Sequence, residues 1–306
     1  TKAVKREDHL GLLEKLVAGA KDAILMTKVH NDNFLNSEII YANSSFQELF
    51  GYDSSGIIGK TPLEFYVTDK NKAEFTDLNK KLKNWDPVEI DLLNFTKQNV
   101  EFWNNLSITP IMDDQGWYTH WVVINRDIND LKNSIIKRQL LTQTHKIFTE
   151  NIPLNALLVK VLQEIENQLG SYVNEIWLLD PYSKKLTKSV AFKGRKVVDL
   201  ESDDTNIFYK SVVEKIFKTN QPHITIHEED IHLEEGINIK LSYAFPIQYY
   251  GSIMGVVHLG FTHAYSREHS LRSVFDDFSI QLANEISRKQ AENELTSFFE
   301  YAPDFM

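Results

Sequence analysis

Apolar residues recur along this chain at two different periods, and the places where the period changes divide it into elements. Leu10, Leu12, Leu13, Leu16 and Val17 fall at helical spacing, which predicts a short N-terminal helix within residues 1–20. Ala23-Ile24-Leu25-Met26 and Glu38-Ile39-Ile40-Tyr41 then read as two strands flanking the polar turn Asn31-Asp32-Asn33, so a hairpin opens the first domain. A short helix from Asn43 to Phe50 has Asn43, Ser44 or Ser45 as its cap and Gly51 as its stop. A second helix over residues 71–84 carries Phe75, Leu78 and Leu82 on one face. Val88 to Phe95, Val100 to Met112 and Trp117 to Ile128, rich in β-branched and aromatic residues, predict three longer strands. Strands with helices between them in this order make an antiparallel sheet with helices on one face.

The helical period returns at Leu131, Ile135, Ile136, Leu140, Leu141 and Ile147, in a charged stretch without glycine, and predicts a linker helix over 131–150. Leu154, Leu157, Leu158, Val161, Leu162, Ile165 and Leu169 give the strongest helical stripe, with Pro153 in the first turn and Gly170 at the stop. Strands follow at Val173 to Leu179, Leu186 to Phe192, His223 to Ile226, Leu241 to Gln248 and Ser252 to Phe261, with a helix from Ile207 to Phe217 among them. A last helix begins near Arg267 and runs to Glu294 or beyond. The predicted fold class is therefore α+β, two domains with antiparallel sheets joined by amphipathic linker helices.

Length agrees, since 306 residues at roughly 150 per domain suggest about two domains. With 33 basic and 43 acidic residues the net charge is −10, a field that repels nucleic acid and anionic membrane surfaces. Cysteine is absent, which excludes disulfides, thiolate metal sites and thiol nucleophiles and fits a cytoplasmic chain. The longest apolar run, Ser252 to Phe261, is interrupted by His258 and falls short of the about twenty residues that span a bilayer, so no membrane span is expected. The start, Thr1 to Asp8, lacks an initiator Met and an apolar signal core, and is expected to be an internal cut of a longer chain.

Ile40-Tyr41-Ala42-Asn43-Ser44-Ser45-Phe46, Phe50-Gly51-Tyr52 and Ile58-Gly59-Lys60 resemble the front half of a PAS sensor domain. Asn94-Phe95-Thr96-Lys97, Phe102-Trp103-Asn104-Asn105-Leu106-Ser107 and Asn125-Arg126-Asp127-Ile128 resemble its back half in the light-oxygen-voltage flavin subfamily. The resemblance implies a PAS domain over 21–130 and a flavin mononucleotide cofactor held by its ring edge at Asn94 and Asn104, with Asn125 in the place of a switching glutamine. An amide, with two donors and an acceptor, suits that edge; the bland reading is three buried amides bonded to backbone or water.

The same alignment disfavours the cofactor elsewhere. Pro62 stands where the family has its photochemical thiol, so the cysteinyl adduct is excluded. Leu63 and Asn79 replace the two phosphate-gripping arginines and Tyr66 replaces a glutamine. Neither an apolar side chain nor an amide reproduces the bidentate charge of a guanidinium.

In the second half, Thr219-Asn220-Gln221-Pro222, Ser242-Tyr243-Ala244-Phe245-Pro246-Ile247, the Tyr249-Tyr250-Gly251 turn and Gly255-Val256-Val257-His258-Leu259 resemble a GAF domain, placed over 151–287. Residues 288–306 are expected to hold a signalling helix and, from Glu300 to Met306, the start of a further PAS domain. His223, His227 and His232 lie among Glu228, Glu229, Asp230, Glu234 and Glu235, but His223-Ile224-Thr225-Ile226-His227 alternates as a strand does. Strand residues four apart stand about 13 Å from each other, so a solvated acidic loop is preferred to a metal site. No phosphate loop, nucleophile elbow, dinucleotide fingerprint or kinase nucleotide box is present.

Two stripes, Leu131, Ile135 and Leu141, then Leu282, Ile286 and Leu295, have the spacing to bury against a partner helix, with Lys137, Arg138, Arg288 and Lys289 in solvent; packing on the chain's own domains is the competing reading. The resemblances imply the non-catalytic sensory region of a signalling protein, a parallel homodimer through its linker helices, with a histidine kinase core downstream. A constitutive spacer scaffold without ligand and a flavin photosensor without adduct chemistry are the alternatives.

Overall fold

The computed structural model describes residues 11–12, 15–30, 33–68, 71–98, 100–180, 183–198, 206–232, 237–262 and 268–301. The chain divides into two compact units, Thr1–Lys132 and Asn133–Met306.

In the first unit, β1 (Ala23–Lys28), β2 (Glu38–Ala42), β3 (Val88–Phe95), β4 (Glu101–Met112) and β5 (Tyr118–Asp127) form one antiparallel sheet in the order β2-β1-β5-β4-β3. Helices α1 (Ser44–Phe50), α2 (Leu63–Tyr66) and α3 (Lys72–Leu82) pack on it. α1 starts at Asn43, whose Oδ1 accepts from the Phe46 backbone N–H at 3.0 Å and from that of Ile24 at 2.9 Å, so one amide caps the helix and pins it to β1. It ends at Gly51, whose φ of 76° is open to glycine at no steric cost. Strand alternation sends Leu25, Leu92, Phe102, Leu106, Ile108, Trp121 and Val123 inward to meet Phe46, Phe50, Tyr66, Phe75, Leu78 and Leu82. The hairpin expectation holds for β1 and β2, but its connection contains a one-turn 3-10 helix, Phe34–Asn36, that buries Phe34 and Leu35. Three residues are too few to show a period.

α4 (Asn129–Ile147) follows β5 directly. In the second unit, β6 (Val173–Leu179), β7 (Leu186–Lys193), β8 (Lys196–Val197), β9 (His223–His232), β10 (Asn238–Tyr249) and β11 (Ser252–Phe261) form an antiparallel sheet ordered β8-β7-β6-β11-β10-β9. One face packs against α4, α5 (Leu154–Leu169) and α7 (Glu268–Tyr301), the other against α6 (Asn206–Thr219). Both faces being covered explains why β10 and β11 read as near-continuous apolar runs. Gly255 permits the β6–β11 pairing: a Cβ there would lie 2.3 Å from the Trp177 carbonyl oxygen.

Three expectations change. β9 continues to His232 because Ile231 and His232 pair with Ile239 and Asn238 after a bulge, so the acidic run from Glu228 to Asp230 is strand rather than loop. Pro153 is the cap of α5, not part of its first turn. Leu282 and Ile286 lie in the second unit's own core with Leu141 packed against it, and Lys289 is 8% exposed rather than solvated. Leu131 and Leu295 remain exposed. Of the expected start of a further domain at Glu300–Met306, the first two residues continue α7, while residues 302–306, the N-terminal residues 1–10 and the acidic pair Glu234 and Glu235 lie outside the described residues. No helix among the described residues is long and apolar enough to cross a membrane.

Candidate functional site

The three amides singled out by the sequence come together at the centre of the first sheet. Asn94 faces Phe102 in register and Asn125 faces Leu106, so Asn94, Asn104 and Asn125 stand on the same inward face of β3, β4 and β5. All three are buried. Asn104 Nδ2 donates to Asn125 Oδ1 at 2.9 Å, and Asn125 Nδ2 donates to the Ala23 carbonyl oxygen at 3.3 Å. The Asn94 amide oxygen accepts from Asn71 Nδ2 at 3.4 Å. Asn94 Nδ2 and Asn104 Oδ1 find no hydrogen-bond partner among the described residues.

Asn71 is the member the sequence did not reveal. Its Oδ1 accepts from the Thr68 N–H at 2.8 Å, and its Nδ2 donates to the Tyr66 carbonyl at 2.8 Å and to the Leu93 carbonyl at 3.0 Å. One buried amide thus ties the end of α2, the start of α3 and β3 together. The available signal was an Asn immediately before a helical stripe, where it reads as a cap.

Pro62 is the residue before α2, at φ −54°, and Tyr66 is the last residue of that helix. The Tyr66 ring is fully buried, 5.7 Å edge-on from Phe50 and 6.2 Å from Phe75. Burial drives its phenol pKa well above the ordinary value, and the Asn125 amide, lying close by, pulls it back only in part. The hydroxyl makes no hydrogen bond of ordinary geometry among the described residues. Leu63 and Asn79 line a groove of about 370 Å³ with Leu35, Val67 and Phe75, rimmed by Lys72, Lys80 and Lys83. Lys80 is already paired to Asp77 at 2.8 Å.

These residues are a poor fit for flavin mononucleotide. The unpartnered Asn94 and Asn104 atoms suit the edge of a planar heterocycle. The core of the same unit, however, is held by the Phe46–Phe50 stack at 4.4 Å, by Phe102 5.3 Å edge-on to Phe50, and by the Tyr66 ring. At Leu63 and Asn79, where the resemblance would place a phosphate grip, the groove offers separate lysine ammonium groups instead of paired guanidinium forks.

A second polar group lies in the sheet of the other unit. Glu175 on β6 pairs in register with His258 on β11, and both are fully buried. Lys188 Nζ from β7 lies 2.9 Å from Glu175 Oε1; His258 Nδ1 lies 3.3 Å from Oε2, to which Trp177 Nε1 also donates at 3.3 Å. Desolvation raises the Glu175 pKa, but His258 and Lys188 together outweigh it and hold the carboxyl below its usual value. His227 sits 2.9 Å from Ser242 Oγ, and burial, then the nearby His258, lowers its pKa. The carboxylate is compensated by its own neighbours, so the cluster reads as a structural tie across three strands. His223 and His227 stand on one strand, and no group of three or more His, Asp or Glu among the described residues is placed to hold a metal ion.

Residues 21–130 match the family model described as a PAS domain, and this part of the chain is a PAS domain. Among known proteins, a blue-light-activated histidine kinase of Brucella anthropi is 35% identical over 102 residues, covering 33% of this chain and 20% of the relative. Another of that description from Brucella ovis is 23% identical over 111 residues, covering 36% and 23%. The chain thus spans only about a fifth of the length of these relatives. Among solved structures, the light-oxygen-voltage domain of a blue-light-activated histidine kinase from Erythrobacter litoralis is similar at 22% identity and a TM-score of 0.32, over 35% of this chain and 95% of that one. An RNA-binding light-oxygen-voltage receptor is similar at 24% identity and a TM-score of 0.36, over 39% of this chain and 33% of the other.

Proposed function

We propose that this chain is the non-catalytic sensory input region of a signalling protein of the histidine kinase type, a PAS domain followed by a GAF-like domain. The observation that carries the reading is the amide cluster. Asn94, Asn104 and Asn125 keep the polar end of a light-oxygen-voltage interior at the sheet centre, while Pro62 and Tyr66 remove its photochemistry. A change at that interior, or at a contact with a second copy, biases a two-state element whose output leaves through α4 and α7. The GAF-like reading is supported by the six-stranded antiparallel sheet covered on both faces, with Ser242 to Ile247 and Gly255 to Leu259 at its middle. In this reading the protein works in the cytoplasm as a parallel homodimer, and a kinase core in the parent polypeptide performs the chemistry.

The buried Tyr66 ring favours a second reading, a constitutive spacer whose interior is filled by its own side chains. Thermal shift against a panel of small heterocycles, with mass spectrometry of any co-purifying molecule, separates the two. A sensor is stabilised by its ligand through mass action, by about 2.7 kcal/mol at a hundredfold excess over Kd, and a filled scaffold is not. No shift and no co-purifying molecule, together with an oligomeric state and a parent kinase activity that respond to no stimulus, would sink the sensory reading.

A further inference from the structure

Within the second unit α4 and α7 meet along a ladder of polar contacts. Lys137 pairs with Asp277. Gln281 Nε2 donates to the Leu141 carbonyl oxygen at 2.8 Å. His145 Nδ1 lies 2.7 Å from Glu285 Oε1. Arg288 Nη2 donates to the Phe148 carbonyl oxygen at 3.2 Å, just past the end of α4. Each rung joins a residue to the one 140 positions later. The partner number rises along α7 as the residue number rises along α4, so the two helices run parallel. Steps of four, four and three residues return to the same side of a helix, so the rungs form one continuous line. Behind them Leu140 and Thr144 of α4 and Leu282, Ala283 and Ile286 of α7 are buried. Glu285 is the centre of the line: its second oxygen accepts from Arg288 Nη2 at 2.8 Å, so one carboxylate of 9% exposure engages both helices.

We infer that α4 and α7 form a parallel, in-register strut, through which the position of α4 is handed to α7 directly, without rearrangement of the second unit's sheet. α7 packs against the sheet in its first half, and residues 291–298 towards its other end are exposed along their whole length. That exposed end is the part of the helix expected to respond to a shift of α4. The sensory reading above supplies only the origin of such a shift; the strut stands on the ladder.

The absence of cysteine makes the register testable in the full chain. Lys137→Cys with Asp277→Cys, and His145→Cys with Glu285→Cys, are treated with a short bismaleimide, alongside the crossed pairs 137 with 285 and 145 with 277. The strut requires linking in the two matched pairs and little in the crossed ones; equal linking in both sets overturns it. Coupling is read separately in Lys137→Ala/His145→Ala, which removes rungs from the exposed side of α4. Amide exchange in residues 289–298 should quicken by about tenfold while β6, β10 and β11 keep their protection. Unchanged exchange in α7, or a loss shared equally by the strands, overturns direct coupling. Neither measurement involves the first unit, so a failure of the sensory reading shows elsewhere, as a chain that answers no ligand.

Discussion

Asn104 donates its side-chain amide to Asn125 across the middle of the first sheet, and Asn125 in turn donates to the carbonyl of Ala23 at the start of β1. One short amide chain thus ties β1 to β4 and β5, a neighbouring pair of strands about a hundred residues further along the sequence. Where a buried amide is satisfied by another, removing one end leaves the other desolvated and unpartnered. Asn125→Ala should therefore lower the stability of the first unit by about 1–3 kcal/mol, measured by urea unfolding followed through the tryptophans of that unit. A change below 0.5 kcal/mol would mean that water replaces the amide.

The Tyr66 ring is buried in the first unit's interior, edge-on to Phe50, and is expected to keep a flavin ring out. The wild-type chain, refolded with excess flavin mononucleotide and dialysed, should show no protein-bound absorption near the flavin bands. Pro62→Cys alone should give no adduct on illumination, since a thiol without a held ring has nothing to attack. Leu63→Arg/Tyr66→Gln/Asn79→Arg should gain measurable binding. Stoichiometric flavin on the wild-type chain would refute the exclusion.

Glu175 should make the second unit sensitive to acid. Its native pKa is held below the ordinary glutamate value of 4.5, so the folded state binds its proton less readily than the unfolded chain does. The stability it contributes is fully present above about pH 4.5 and is lost as pH falls through the lower native value. Lys188→Met, which removes one cationic partner and leaves a buried carboxylate, should cost about 3–5 kcal/mol at neutral pH. It should also move the acid transition of the second unit upward. Unfolding curves at several pH values for wild type and variant test both statements.

Gly255→Ala should be poorly tolerated although alanine is a small change. The added methyl meets a backbone carbonyl, which cannot rotate away as a side-chain tip does. Overpacking of this kind costs about 1–3 kcal/mol or more. The expected signature is lost exchange protection in β6 and β11 with the first unit unaffected; wild-type stability would count against the close approach.

Much of this protein was decided by its sequence alone. Periods of two and of about 3.6 residues marked the long strands and helices, because burial of one face is a local pattern repeated along each element. Asn94, Asn104 and Asn125 were legible as amides on strands, and the structure buries all three; the significance given to Pro62 came from a family resemblance alone. Tertiary structure decided what depends on partners remote in sequence. It made Asn71 a three-way tie, set Tyr66 among Phe50 and Phe75, and buried Glu175 and His258 as one pair. It also turned Leu282, Ile286 and Lys289 inward, where periodicity marks a stripe but not which surface covers it. Pairing register and side-chain contacts between distant segments carry no local signature, so the alignment of α4 with α7 was set by the fold.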